Sequence, residues 1–330
     1  MVFIFEKIST MLDKATQERL DFLNRNYTPL VTYHLNGDKK IYLGKKDDNH
    51  CRFCNKKSPD VTFRNIAHAI PEFTGNKTLI CYYECDSCNS KFSRLLESHM
   101  ANYMNMWHTF SQVRGKRGVP SFKTNQKKSR IDIGEMNVEV QEHQDDEIAT
   151  IDEERKTITF TANRATYIPI SIYKCLAKMA LTIMPEDELE NFKTTMAWIN
   201  EEEHDKSPHD LKALKAMMSI APGPQPYPFT SCLLFKRKPT TVDKVLYMIF
   251  VLAYGNFAFQ IYLPLCTKDK ELQGEDVKMV AIPTPIDMEK GSFYLGRKLL
   301  DLNSKLPVKG EKETIVMQYD KMVERDLTDE

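Results

Sequence analysis

The chain has 330 residues, 42% of them apolar and 10% aromatic, which is enough to bury a sizeable core and excludes disorder of the whole chain. Its 46 basic and 46 acidic residues cancel, and that balance alone argues against a nucleic-acid partner. The charge is not spread evenly, however: residues 1–130 hold 22 Lys and Arg against 12 Asp and Glu, whereas residues 131–330 hold 24 against 34. A basic front part and an acidic remainder predict two domains, 1–130 and 131–330, with different partners.

The first residues, "MVFIFEKISTMLDK", carry an apolar patch too short for a signal peptide and interrupted by Glu6. A cytoplasmic, reducing setting is expected, in which paired cysteines are metal ligands rather than disulfides. Residues 7–25 place Ile8, Met11, Leu12, Leu20 and Leu23 among charged positions, which predicts a helix. The runs "VTYHL" and "KIYLG" flank Asn36-Gly37 and predict a hairpin. After the second cysteine pair, residues 89–106 lack Pro and Gly and set Phe92, Leu95, Leu96, Met100 and Tyr103 on related faces, so a helix is expected there.

Residues 112–130 contain Arg114, Lys116, Arg117, Lys123, Lys127, Lys128 and Arg130 with no acid among them, and read either as a solvated linker or as a phosphate-contacting arm. Beyond Ile131 the pattern changes to short strand-like runs ("NVEVQ", "EIATI", "KTITFTA"), then helical segments starting near Ile168 and Pro185, then further strands. This predicts a second, separate α+β domain. Val245–Cys266 is uncharged and long enough to span a membrane, but Tyr254–Phe257, "YGNF", is a turn signal between β-branched and aromatic runs. Two buried strands joined as a hairpin are expected, and no membrane partner. Cys175, Cys232 and Cys266 lie singly among apolar residues and are assigned to the core, as are "PYPFTSCLLFKRK" and its neighbours to a buried sheet.

Cys51-x-x-Cys54 and Cys85-x-x-Cys88 have the spacing of two zinc knuckles, each of which brings two thiolates to one ion from a tight turn. A closed four-thiolate site leaves no open position for chemistry, so the expected zinc is structural and holds together a segment with little core of its own. Cys81 fits a strand position in the core, and His50, beside Cys51, is an alternative zinc ligand.

Between and after the knuckles stand His68 in "AHAIPEFTG" and Asn89 in "CDSCNSKF". This order of histidine, proline, glycine and asparagine, framed by two cysteine pairs, resembles the HNH, or ββα-metal, nuclease family over about Cys51 to Tyr103. The resemblance implies an α+β chain in which a small zinc-stapled ββα-metal domain carries a metal-dependent endonuclease. It implies His68 as general base and Asn89 as a metal ligand or loop clamp. The third family position falls on Ser98, flanked by Glu97 and His99; a hard catalytic Mg²⁺ or Mn²⁺ prefers the oxygen of Glu97 and a softer ion His99, and the resemblance ranks Glu97 first because members similar to this subset tend to carry a glutamate there. Ala67 stands where many members place a ligand, so Glu72 or the bound phosphate and waters must complete the shell.

The expected substrate is DNA, contacted by Lys91, Arg94, Arg114, Lys116 and Arg117. The rival reading is a zinc-knuckle nucleic-acid-binding module without cleavage, favoured by Ala67 and Ser98. The architecture resembles restriction and anti-phage systems, in which residues 131–330 would sense a trigger, bind a regulatory partner or form a homodimer. The other histidines, His34, His108, His143, His204 and His209, have no such frame and read as structural or surface.

Overall fold

The computed structural model describes residues 12–134, 137–204, 214–272, 274–275, 277–288 and 296–323. The apolar start, Ile8 and Met11 of the expected first helix, and His209 lie outside these residues. Asp13 opens helix α1 (Lys14–Asn26): its carboxylate accepts the Thr16 N–H at 3.0 Å, satisfying one of the unpaired donors of the first turn. The chain passes directly from α1 into strand β1 (Tyr27–Leu35).

Strand β1 does not form the expected hairpin with β2 (Ile41–Leu43). It pairs antiparallel with β11 (Tyr227–Arg237), Tyr27 opposite Arg237 and Leu35 opposite Thr230, while β2 runs parallel to β4 (Leu79–Cys81). Asn36-Gly37 therefore joins two different sheets. The long ladder with β11 gives β1 more main-chain partners and more apolar contact than a three-residue β2 can offer.

Strand β3 (Ala67–His68) pairs antiparallel with the other edge of β4, so a small sheet runs β2-β4-β3. From it the chain enters a continuous helical run: α2 (Asp86–Phe92), a π-helical turn at Ser93–Glu97, and α3 (Ser98–Phe110). The helix begins three residues before the sequence pattern suggests, because Cys85 already adopts the extended N-cap conformation. Asp86 then accepts the backbone N–H groups of Arg64 and Asn65 at 3.0 and 2.9 Å.

The runs expected beyond residue 131 form strands. Strands β5 (Phe122–Lys123), β6 (Arg130–Ile133) and β7 (Val138–Gln141) make one small antiparallel sheet. Strands β8 (Ala149–Asp152) and β9 (Thr157–Asn163) pair in another, completed by the last strand of the chain, Lys312–Gln318. Both enclose a minor core of Met106, Phe122, Ile131, Ile148, Phe160 and Ile315. Helices α4 (Pro169–Ile183), α5 (Glu186–Leu189) and α6 (Lys193–Asn200) fill the expected helical segments.

The main sheet has six strands in the order β1, β11, β12 (Met248–Gly255), β13 (Phe257–Tyr262), β10 (Lys215–Ile220) and Gly296–Asp301, each antiparallel to its neighbours. The uncharged run is thus the β12–β13 hairpin, Tyr254 opposite Phe257, as its turn signal predicts. Gly255 turns the chain at φ +55°, and a Cβ there would lie 2.8 Å from Val113 Cγ2, so both conformation and space call for glycine. Among the described residues, no helix is long and apolar enough to cross a membrane.

Helix α4 lies between this sheet and the α2–α3 run and is buried at every residue, Lys174 and Lys178 included. Cys51, Phe53, Phe92, Leu96 and Met100 share one core with Tyr173, Leu176, Phe250 and Phe259. The chain is α+β, as expected, but residue 130 does not divide its core. The charge step there marks a change in the surface, while the N-terminal β1 and the zinc-knuckle segment are packed into elements from residues 169–262.

Candidate metal and nucleic-acid site

The Sγ atoms of Cys51, Cys54, Cys85 and Cys88 all lie within 4.8 Å of one another, and the Cys54–Cys85 pair is 3.8 Å apart. Four sulfurs about 2.3 Å from a tetrahedral zinc stand about 3.8 Å apart, so the donor set fits that ion in number, chemistry and spacing. A hydrogen bond from Cys88, outweighing burial, draws the Cys51 thiol down to about 4, while the same contact raises the Cys88 thiol. Cys81 is a buried strand residue outside the group, as its pattern suggests. His50 is not a fifth candidate, since its Nε2 pairs with Asn55 Oδ1 at 2.8 Å.

The knuckles are fastened to helix α4. Arg52, between the first two cysteines, donates from Nη1 to the carbonyls of Leu181, Thr182 and Met184 at 2.9, 3.1 and 2.9 Å, capping the C-terminal end of α4. Its guanidinium lies 3.8 Å over the Tyr83 ring, and the Tyr83 hydroxyl donates to the Thr182 carbonyl.

His68 ends strand β3 with its side chain 18% exposed. Its Nε2 is 3.8 Å from Glu72 Oε1, and its Nδ1 is buried with no protein partner. Burial holds the imidazole below the ordinary histidine range; Glu72 and Glu97 pull the other way, and Lys116 and Lys178 reinforce the burial. The chain between His68 and β4 is held by Asn76, which donates to the Ile70 carbonyl at 2.6 Å and accepts from the N–H groups of Thr78 and Leu79 at 3.0 and 2.9 Å. Gly75, the glycine of the sequence pattern, has φ +90°, a conformation that side-chain-bearing residues rarely adopt.

Glu97 closes the π-helical turn, with Oε1 3.5 Å from Lys178 Nζ. Lys178 also lies 2.9 Å from Glu84 Oε2, a pair with no signal in the sequence pattern. Burial alone would favour loss of the Lys178 proton, but the two carboxylates outweigh it and hold the ammonium above the ordinary lysine range. His99 is engaged at one ring nitrogen, its Nδ1 accepting the Ile168 N–H at 3.3 Å. A neutral imidazole in that state carries its proton on Nε2, which makes that atom a donor rather than a ligand. Asn89, partly exposed on α2, gives its backbone N–H to the Cys85 carbonyl at 2.9 Å.

By donor type, the oxygens of Glu97, Glu72 and Asn89 suit a hard ion such as Mg²⁺ or Mn²⁺, whereas an imidazole such as that of His99 suits a softer one. Among the described residues, the four cysteines are the one group of three or more His, Cys, Asp and Glu donors gathered at ion-binding distance.

Of the five basic residues singled out in the sequence, Lys91 donates to Asn200 Oδ1 at 2.6 Å and Arg94 lies 3.8 Å from Glu202, both on the exposed side of α2 and its π turn. Arg114, Lys116 and Arg117 lie exposed on a tight turn closed by Gly115 and Gly118, and Gly115 lies against Phe73 and Glu72, beside His68. Elsewhere in the basic run, Arg130 pairs with Asp132 and Lys128 with Asp145, so this part is tied to the fold rather than free as an arm.

Residues 51–105 match the family model described as HNH endonuclease. No curated protein and no solved structure matches the chain.

Proposed function

We propose, from an HNH endonuclease segment at residues 51–105, that the chain is a metal-dependent endonuclease hydrolysing DNA phosphodiester bonds, with His68 as its general base. The observation that carries this reading is a half-buried His68, kept neutral near pH 7 by burial, with Glu72 at 3.8 Å and an exposed basic turn alongside. Neutral imidazole is suited to take a proton from water as that water attacks phosphorus. Glu72 and Glu97 then stabilise the imidazolium that results. Mg²⁺ or Mn²⁺, held by Glu97 with Asn89 and Glu72, supplies Lewis-acid stabilisation of the phosphate charge. The four cysteines hold a structural zinc that fixes the helix carrying Asn89 and Glu97 against the strand carrying His68.

Arg114, Lys116 and Arg117 supply the principal phosphate contacts; Lys91 and Arg94, already engaged by Asn200 and Glu202, contribute less. By analogy of architecture we place the chain in the cytoplasm, in restriction or anti-phage defence, with residues beyond 130 as the surface for a regulatory partner or second copy.

A specific observation favours the second reading, a nucleic-acid binder without cleavage: Ala67 offers no ligand, and Glu97 already shares its carboxylate with Lys178. Plasmid cleavage with Mg²⁺ or Mn²⁺, present or chelated, separates the two when the intact chain is compared with His68→Ala after both are shown to hold zinc. Cutting that requires the divalent cation and His68 is the expected result. Plasmid retention with no cutting by the intact chain would establish the binder.

A further inference from the structure

The small sheet has two faces of different character. Leu79 and Cys81 of β4 point into the main core, with Ile41 and Leu43 of β2 packed against the same core, while Ile80 does not join it. Residues in register on neighbouring strands share a face, and Tyr42 on β2 and His68 on β3 are both in register with Ile80. Tyr42, Ile80 and His68 therefore form one row across the face turned away from the main core, with Ile80 itself covered at 3% exposure and Tyr42 and His68 about 10 Å apart at two strand spacings. Tyr82, two residues beyond Ile80, joins Tyr42: the rings stack with centroids 5.0 Å apart and planes 2° from parallel. Tyr42 is 47% exposed, and Tyr82 is partly exposed.

We propose that the Tyr42–Tyr82 pair is a stacking platform for an unpaired base of the nucleic-acid substrate, placed next to the phosphate that His68 acts on. This rests on the nuclease reading above and adds a preference for single-stranded or locally opened substrate. The separation from His68 is of the order of a nucleotide step or two, so a base on the tyrosines and the scissile phosphate at His68 belong to neighbouring positions of one strand. Charge complementarity is modest: Lys39, Lys40, Lys45 and Lys46 are exposed around Tyr42 but stand among Asp38, Asp47 and Asp48. Recognition at this edge is therefore carried by the aromatic faces, which accept any base, with the lysines holding the backbone. A fully paired duplex keeps its bases stacked on one another and has no such face to give.

The test is binding of a short single-stranded oligonucleotide carrying 2-aminopurine, and of the same sequence fully paired, to the zinc-loaded full chain with His68→Ala to prevent cutting. Tyr42→Ala and Tyr82→Ala should each weaken single-strand binding roughly tenfold and restore the quenched 2-aminopurine emission, leaving duplex binding unchanged. Tyr42→Phe, which keeps the ring, should bind as the parent does. If the alanine variants bind the single strand as the parent does, or weaken both forms equally, the platform is refuted while the nuclease reading stands. If the parent binds neither form, both fall.

Discussion

Lys178 Nζ sits 2.9 Å from Glu84 Oε2, with both side chains essentially removed from water, and so ties the middle of helix α4 to the residue immediately before the second zinc knuckle. The same ammonium reaches Glu97 at 3.5 Å. Burial pushes the Glu84 carboxyl up to about 7 against the opposing pull of Lys178, so each charge depends on the other to remain in the core. Lys178→Met should therefore strand Glu84 and cost about 3–5 kcal/mol in urea unfolding. The double variant Lys178→Met with Glu84→Gln removes the charge as well as its partner and should recover a large part of that loss. Equal destabilisation of the single and double variants would mean that Lys178 acts through contacts other than Glu84, such as those of its ammonium with the Phe53 and Phe92 rings, rather than through that ion pair.

Zinc removal should unfasten the same region. Cys88→Ser leaves three thiolates, and zinc content measured by mass spectrometry should fall from one ion per chain to near none. Without the ion, the knuckle loses the turn that presents Arg52 to the end of α4. Thermal melting of the chelated wild type should then resemble that of the zinc-depleted Cys88→Ser variant. Unchanged melting after complete zinc loss would show that the shared core alone holds the segment.

His108 provides a pH dependence outside the cysteine cluster. Buried on α3 with Nε2 3.0 Å from the Tyr254 hydroxyl, it is pushed down by burial to about 3. In the unfolded chain the ring takes up a proton below about 6.5, whereas the folded form resists it. Unfolding therefore binds a proton between those values, and stability falls as the pH drops from about 6.5 toward 3, by a few kcal/mol at 1.36 kcal/mol per unit. His108→Gln should flatten this part of the profile relative to wild type. Parallel profiles for the two proteins would refute the assignment.

What the sequence disclosed was local. The cysteine spacing, the His68 to Gly75 run and the Tyr254–Phe257 turn each declare themselves within a dozen residues, and each occupies the expected element. The β1–β11 pairing was hidden because an Asn-Gly turn flanked by apolar runs signals a hairpin whether or not a better partner lies about 200 residues onward. The charge step at residue 130 misled for a related reason, since surface charge says nothing of which strands share a core. Counting along the helix could not choose among Glu97, Ser98 and His99, because the π turn at Ser93–Glu97 adds a residue to the turn and rotates all that follows. Lys178 sits in an apolar helix whose sequence gives no sign of the carboxylates it meets. A lysine at a position otherwise facing the core was the one available signal.

The basic turn offers the last prediction. Arg114, Lys116 and Arg117 project from a tight loop braced against Phe73 and, among the described residues, enter no ion pair, whereas Lys91 is engaged by Asn200 at the end of α6 and Arg94 by Glu202 just after it. A side chain that neutralises a phosphate releases condensed counterions, so each one adds about 0.9 to the slope of log affinity against log salt on duplex DNA. Replacing the three turn residues by alanine should weaken binding across all sequences alike and reduce that slope by about 0.9 for every phosphate no longer neutralised. Lys91→Ala with Arg94→Ala should change the slope less, because their charges are already committed to Asn200 and Glu202. Equal slopes for the parent and the triple variant would move the phosphate path away from this turn and toward the exposed face of α2.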